Sequence, residues 1–215
     1  MSITIMLSQL AGGMLKSISI FCWTLLFSLP LGLVVAFGKM SKYKAISGIT
    51  NVYISIMRGT PLMLQLMVVY YGPYYLFHVD IGGFRYAAII IAFAVNYAAY
   101  FAEIYRSGIA AMPVGQYEAA EVLGYTKTQT FFMIILPQVI KNILPSVTNE
   151  VITLVKDTSL AFSLSYMEMF TIAKQIAARE TTFMPFVAAA VFYYVFNAIV
   201  AWGMSRLEKA LNYYR

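Results

Sequence analysis

The sequence predicts an all-α, polytopic membrane protein of about five transmembrane helices, and three observations carry that prediction. Mean hydropathy is +0.74, with 61% hydrophobic and only 11% charged residues, outside the range of soluble globular domains. Residues 17–38, 59–79, 86–102 and 181–205 contain no Asp, Glu, Lys or Arg. A hydrocarbon core of about 30 Å takes roughly 20 apolar residues as helix, and backbone groups in lipid must be satisfied internally. A fifth stretch, about 138–164, is interrupted by Lys141, Glu150, Lys156 and Asp157 yet is apolar between them. With no internal repeat and no low-complexity tract, residues 1–215 read as a single transmembrane domain.

Taken in order, the first span is expected at about 14–38. Lys16 ahead of an apolar run has the look of a secretory signal, but the uncharged stretch is too long and no polar chain follows, so a retained span is expected. Span two, about 48–77, carries Arg58-Gly59-Thr60-Pro61. Pro61 lacks a backbone donor and disfavours helix at Thr60, which predicts a break there. Span three is expected from about 86 to 106. A cytoplasmic loop at about 107–136 then holds a short helix, 116–123, ended by Gly124 in a left-handed position. Thr126 to Gln129 fits a capping box for a second helix, which Pro137 is expected to stop. Span four follows at about 139–164, an amphipathic helix at 165–182 lies on the outer face, and span five occupies about 184–205. Tyr70, Tyr71, Tyr74, Tyr75 and Phe77 are expected in an interfacial aromatic belt.

Charge sets orientation rather than pointing to nucleic acid, because the basic residues sit at helix ends despite a net +6. If the loop after span one is cytoplasmic, Lys39, Lys42, Lys44, Arg106, Lys127, Arg206, Lys209 and Arg215 lie inside. Lys16, Arg85, Lys174 and Arg179 then lie outside. The excess of inside charges places the N-terminus outside and the C-terminus in the cytoplasm. One cysteine (Cys22) and one histidine (His78) exclude an intrachain disulfide and a structural zinc site. The chain has no phosphate-binding glycine loop, so ATP hydrolysis is not its own chemistry, and no hydrolase or metalloprotease motif supplies catalytic residues.

Two groups of residues stand out. Glu118-Ala119-Ala120 with Glu121 and Gly124 forms a compact polar knob in an otherwise apolar chain; the plain alternative is a glycine-capped loop helix. In 149–160, Glu150 and Asp157 share a helix face, and Asn149 and Lys156 share a neighbouring one. Three charges in eight residues are expensive at membrane depth unless they face a wet cavity or each other. A permeation path with Glu150, Lys156, Asp157, Thr158, Ser159 and Asn149 is the expected use. An internal Lys156–Asp157 pair, or a Glu150–Asn96 packing contact, is the alternative. Arg58 and Gln65, seven apart on span two, join that path, with snorkelling of Arg58 as its alternative. Asn96, Tyr100 and Glu103 form a stripe expected to hold helices together.

The run from Glu118 through Gly124 to Ile134 and Leu136-Pro137 resembles the EAA loop by which membrane subunits of bacterial ABC importers grip their ATPase. Further stretches are Arg58 to Leu62 with Gln65, Ala98 to Arg106, and Leu154 to Leu160. With these, the chain from about 10 to 210 resembles a permease of the polar amino acid type. The resemblance implies a type I importer permease in a bacterial inner membrane, partnered by a second permease subunit and an ATPase dimer that binds ATP and Mg. An extracytoplasmic amino-acid-binding protein would deliver the solute. Glu118, Ala119, Ala120 and Gly124 would couple to the ATPase. On the residues alone, Glu150 or Asp157 suits a substrate ammonium and Lys156 a carboxylate. A permease for another small solute such as methionine, a membrane enzyme using Glu150 and Asp157 as acid and base, and a non-transporting scaffold are the competing readings.

Overall fold

The computed structural model describes residues 1–211; Arg215, counted above among the inside charges, lies outside them. Helix α1 runs Ile3–Lys39, α2 Lys44–Gly59, α3 Leu62–Phe77 and α4 Arg85–Ala110. The loop helices are α5, Val114–Val122, and α6, Lys127–Gln129. Helix α7, Leu136–Asp157, continues into a 3₁₀ segment at Thr158–Leu164. Helix α8, Met169–Glu180, and α9, Met184–Leu211, complete the described chain. Four continuous runs are long and apolar enough to cross a membrane, and α2 with α3 makes a fifth if the bent pair is one span. The protein is a multi-pass membrane protein.

Helix α4 is the centre of the bundle. Its Ala88, Ala92, Ala98, Ala99 and Ala102 are buried beside Phe93 and Phe101, and small side chains let neighbouring backbones come close. Gly32 of α1 shows the effect: a Cβ there would stand 2.8 Å from Phe101 Cβ and 3.1 Å from the Ala98 carbonyl. Further along α4, a Cβ on Gly108 would meet Ile143 of α7 at 2.1 Å. By contrast, α9 turns Val191, Tyr194, Val195, Ile199 and Trp202 outward, as a lipid-facing helix does.

The break at Thr60-Pro61 is larger than a kink. Both residues are extended, and α2 and α3 meet at 111°. The carbonyls freed by the break are recovered by side chains. The Gln65 amide donates to Met57 O at 3.0 Å and Thr60 O at 3.2 Å, and Asn96 donates to Met57 O at 3.0 Å and Gln65 Oε1 at 2.9 Å. Non-helical backbone at membrane depth is tolerated on those terms.

Two expectations are corrected. Pro137 does not stop a helix. Thr130–Ile135 forms a π-helical turn, in which the Leu136 amide reaches back to Phe131 O. The widened register places the donorless proline in the first turn of α7, where its absent N–H costs least. Tyr70 is 5% exposed in the main core, under the Arg85 guanidinium, and so is not a belt residue. The segment after span four forms the expected amphipathic helix: α8 packs its Met169, Ala173 and Ile176 against α1 and α9 and leaves Lys174, Gln175 and Arg179 exposed.

Candidate translocation site and coupling loop

A cavity of about 420 Å³ opens between the break in span two, α4 and α7. It is lined by Thr60, Pro61, Leu62, Asn96, Tyr97, Tyr100, Glu150, Thr153, Asp157 and Leu160. Glu150 and Asp157 reach it together because seven residues are close to two helical turns. Asp157 accepts a hydrogen bond from the Tyr97 hydroxyl at 2.7 Å. Glu150 accepts none from the described residues. Arg58 itself stands over the Tyr100 ring, 5.4 Å from its centroid, at the edge of the cavity. The opposite wall is the start of α3. Its Leu62 and Met63 amides have no backbone partner and no side-chain cap, so the positive end of a helix dipole opens beside two carboxylates.

The other expected path residues go elsewhere. Lys156 is exposed and outside the cavity lining, so opposite charges along span four are not brought to one place within this chain. Thr158 is fully buried and donates to Val155 O at 2.8 Å, and Ser159 donates to Lys156 O at 2.8 Å. Both hydroxyl protons are thus spent on their own helix. Asn149 lies outside the lining; its carbonyl accepts from Thr153. Gln65 holds the break and reaches the cavity lining indirectly, through Asn96 and Thr60. Tyr97 was missed by sequence reasoning. Its sole signal was its position one residue after Asn96, which says nothing about Asp157 sixty residues away.

The loop between α4 and α7 is built differently. Helix α5 ends in a Schellman arrangement: Gly124 has φ +80°, its amide donates to Glu121 O at 3.0 Å, and the Tyr125 amide donates to Ala120 O at 3.0 Å. Thr126 and Gln129 form the expected capping box. Glu118, Ala119 and Glu121 are exposed, whereas Ala120 is 1% exposed, so Ala120 packs inward. Beside them Val122 is 88% and Leu123 73% exposed. A neighbouring hollow of about 370 Å³ is lined by Tyr117, Glu121, Tyr125, Lys127, Thr130 and Phe131. Bare apolar residues rimmed by charge mark a protein or membrane contact site.

Residues 28–213 match the family described as the binding-protein-dependent transport system inner membrane component. The chain belongs to this family. The permease is 34% identical over 207 residues to the L-cystine transport system permease protein TcyB of Bacillus subtilis, covering 95% of this chain and 87% of that one. It is 35% identical over 203 residues to the arginine transport system permease protein ArtQ of the same organism, covering 93% and 91%. Its fold matches a chain from the crystal structure of an amino acid ABC transporter with histidines, at TM-score 0.86 and 31% identity, covering 94% of each chain. A methionine ABC transporter, MetNI, shares the fold at TM-score 0.78 and 17% identity, with 99% of this chain and 100% of that one covered. The family is one of transporter permeases rather than catalysts, which removes the membrane-enzyme reading of Glu150 and Asp157.

Proposed function

We propose that this permease carries polar amino acids in an ATP-driven importer, with the cavity at the span-two break as the solute's station. The observation that carries the reading is the cavity's pairing of opposite potentials. Glu150 and Asp157 form one wall, and the uncapped start of α3, with Arg58 at the rim, forms the other. An amino acid zwitterion presents an ammonium to the first wall and a carboxylate to the second. Helix starts at broken membrane spans suit carboxylates for this reason. Glu150, with no competing donor, is the ammonium acceptor; Asp157 is the second, held in place by Tyr97. Thr153 lines the wall beside them, its hydroxyl proton donated to Asn149 O. Lys156 has no part in the contact, and neither do Asn149, Thr158 or Ser159; Gln65 acts by holding the break open.

The loop of α5 and α6 serves as the handle. Glu118, Ala119 and Glu121, with Val122 and Leu123, enter a groove of a separate ATPase subunit, which binds ATP and Mg. Gly124 allows the sharp exit that presents them, and Ala120 anchors the knob from within. This places the loop and the C-terminus in the cytoplasm and α8 on the outer side, where a binding protein delivers solute. A second permease subunit completes the passage.

Reconstitution with the ATPase and binding protein tests the whole reading through ATP-dependent uptake of labelled amino acids. Glu118→Lys is expected to abolish uptake while leaving solute binding to the permease intact. Labelling of a thiol introduced at Glu118 from the outside of intact cells would overturn the orientation and the coupling role together.

A further inference from the structure

The chain buries a carboxylate that the transport site does not use. Glu168 is fully buried, outside the membrane-spanning runs, and it caps the start of α8. Its Oε2 accepts from the Phe170 amide at 2.7 Å, and its Oε1 from the Thr171 amide at 2.7 Å and the Thr171 hydroxyl at 2.8 Å. Two further donors come from other helices: Tyr193 of α9 at 3.3 Å and Ser17 of α1 at 3.4 Å.

Capping does not explain this group. The favoured N-caps are Ser, Thr, Asp and Asn, whose short side chains bond the next amides and remain wet. Glutamate adds a methylene, and that extra length is what brings the carboxylate to Ser17 and Tyr193. Removing a carboxylate from water is expensive unless its lone pairs are met, and here five donors meet them. The backbone agrees with the side chain. A Cβ on Gly13 of α1 would lie 2.7 Å from Met169 Cα, so a glycine is what lets the first residue of α8 rest on α1. The face that α8 leaves outside carries Lys174, Gln175, Arg179 and Glu180, all exposed, with Glu180 paired to Arg179 and to the N-terminal amine. Arg179 shares with Lys16 a cleft of about 520 Å³ between α1 and α8.

We propose that Glu168 is a positioning residue of transport: by tying α8 to α1 and α9, it holds the charged outer face of α8 in the register needed to receive the binding protein. The assignment rests on the importer reading above. Glu168 does not touch the transported solute. Its effect is on how well the outer platform is pre-formed, which appears as affinity for the docking partner rather than as the rate of a docked complex.

The test uses the permease assembled with its ATPase in lipid nanodiscs, with ATPase rate measured against the concentration of liganded binding protein. Glu168→Asp keeps a good cap but withdraws from Ser17 and Tyr193. It is expected to raise the half-saturating concentration about fivefold, with the maximal rate within about twofold. Tyr193→Phe is expected to raise it about threefold and to add nothing in the Glu168→Asp background, as members of one network do. Wild-type behaviour of Glu168→Asp would reduce Glu168 to a local cap and overturn the proposal. So would additivity of the two substitutions, or loss of assembled complex at unchanged half-saturation. Absence of any stimulation of the wild-type complex by the binding protein would instead bring down the importer reading, and this assignment with it.

Discussion

Glu150 is half-buried against a cavity and Glu168 is fully buried between helices, and the contrast separates a site from a joint. Glu168 lies in a closed pocket of five donors, with both carboxylate oxygens occupied. Glu150 lines a cavity and accepts nothing from the described residues. A satisfied carboxylate fixes the helices around it, because moving any of them orphans a donor. An unsatisfied one costs free energy until a ligand meets it, and so it persists where a ligand is to be met. Asp157 falls between the two: one hydroxyl holds it, and its remaining lone pairs face the cavity.

The sharpest way to break the contrast is to neutralise each group. Glu150→Gln is expected to cut substrate uptake about 100-fold, the scale of removing one partner of a desolvated charge pair, while thermal stability stays level or rises. Glu168→Ala should do the reverse, costing about 3 kcal/mol of stability through orphaned donors, a clear drop in melting temperature for the detergent-solubilised permease. A finding that both substitutions destabilise equally would erase the distinction. Lys156→Gln sharpens the site's outline: uptake is expected to stay within about twofold, because Lys156 is exposed and outside the cavity. A large loss there would mean that Lys156 faces solute in the assembled transporter.

The smallest expected effect is a pH slope. Burial pushes the Glu168 carboxyl above the ordinary carboxylate range, outweighing the hydrogen bonds from Phe170, Thr171 and Tyr193 that pull it down. The folded chain therefore holds that proton more tightly than the unfolded one. The contribution to stability is full below the ordinary carboxylate value and is lost as pH rises through the raised one. Melting temperature should decline across that window in the wild type, and the slope should flatten in Glu168→Gln. An equal slope in both would assign the titration to another group.

Much of the architecture was legible because the membrane imposes simple rules. Length of apolar run marks the spans, and the extended Thr60-Pro61 pair marks the break. Gly124 and the Thr126–Gln129 box mark the ends of the loop helices, since each depends on residues a few positions apart. The site was legible only where it follows helical periodicity, as with Glu150 and Asp157. Lys156 illustrates the limit. One residue from Asp157 on a helix means about 100° of rotation, and the sequence does not say which side of α7 meets the cavity. The fate of Pro137 was likewise hidden, because a π-turn changes the register in which a proline is read.

What the chain's order of residues determined by itself was the count of spans, the interruption in the second, and the charged knob between the third and fourth. These follow from transfer free energies and short-range backbone sterics, which need no neighbours to evaluate. Only the folded bundle decided that Tyr97 meets Asp157, that Asn96 and Gln65 repair the break, and that Glu168 joins three helices. Those pairings depend on how helices cross, and crossing is set by small-residue contacts such as Gly32 on Ala98 and Gly108 on Ile143. Side chains 25 to 151 positions apart become neighbours because close-packed backbones leave them no other place to be.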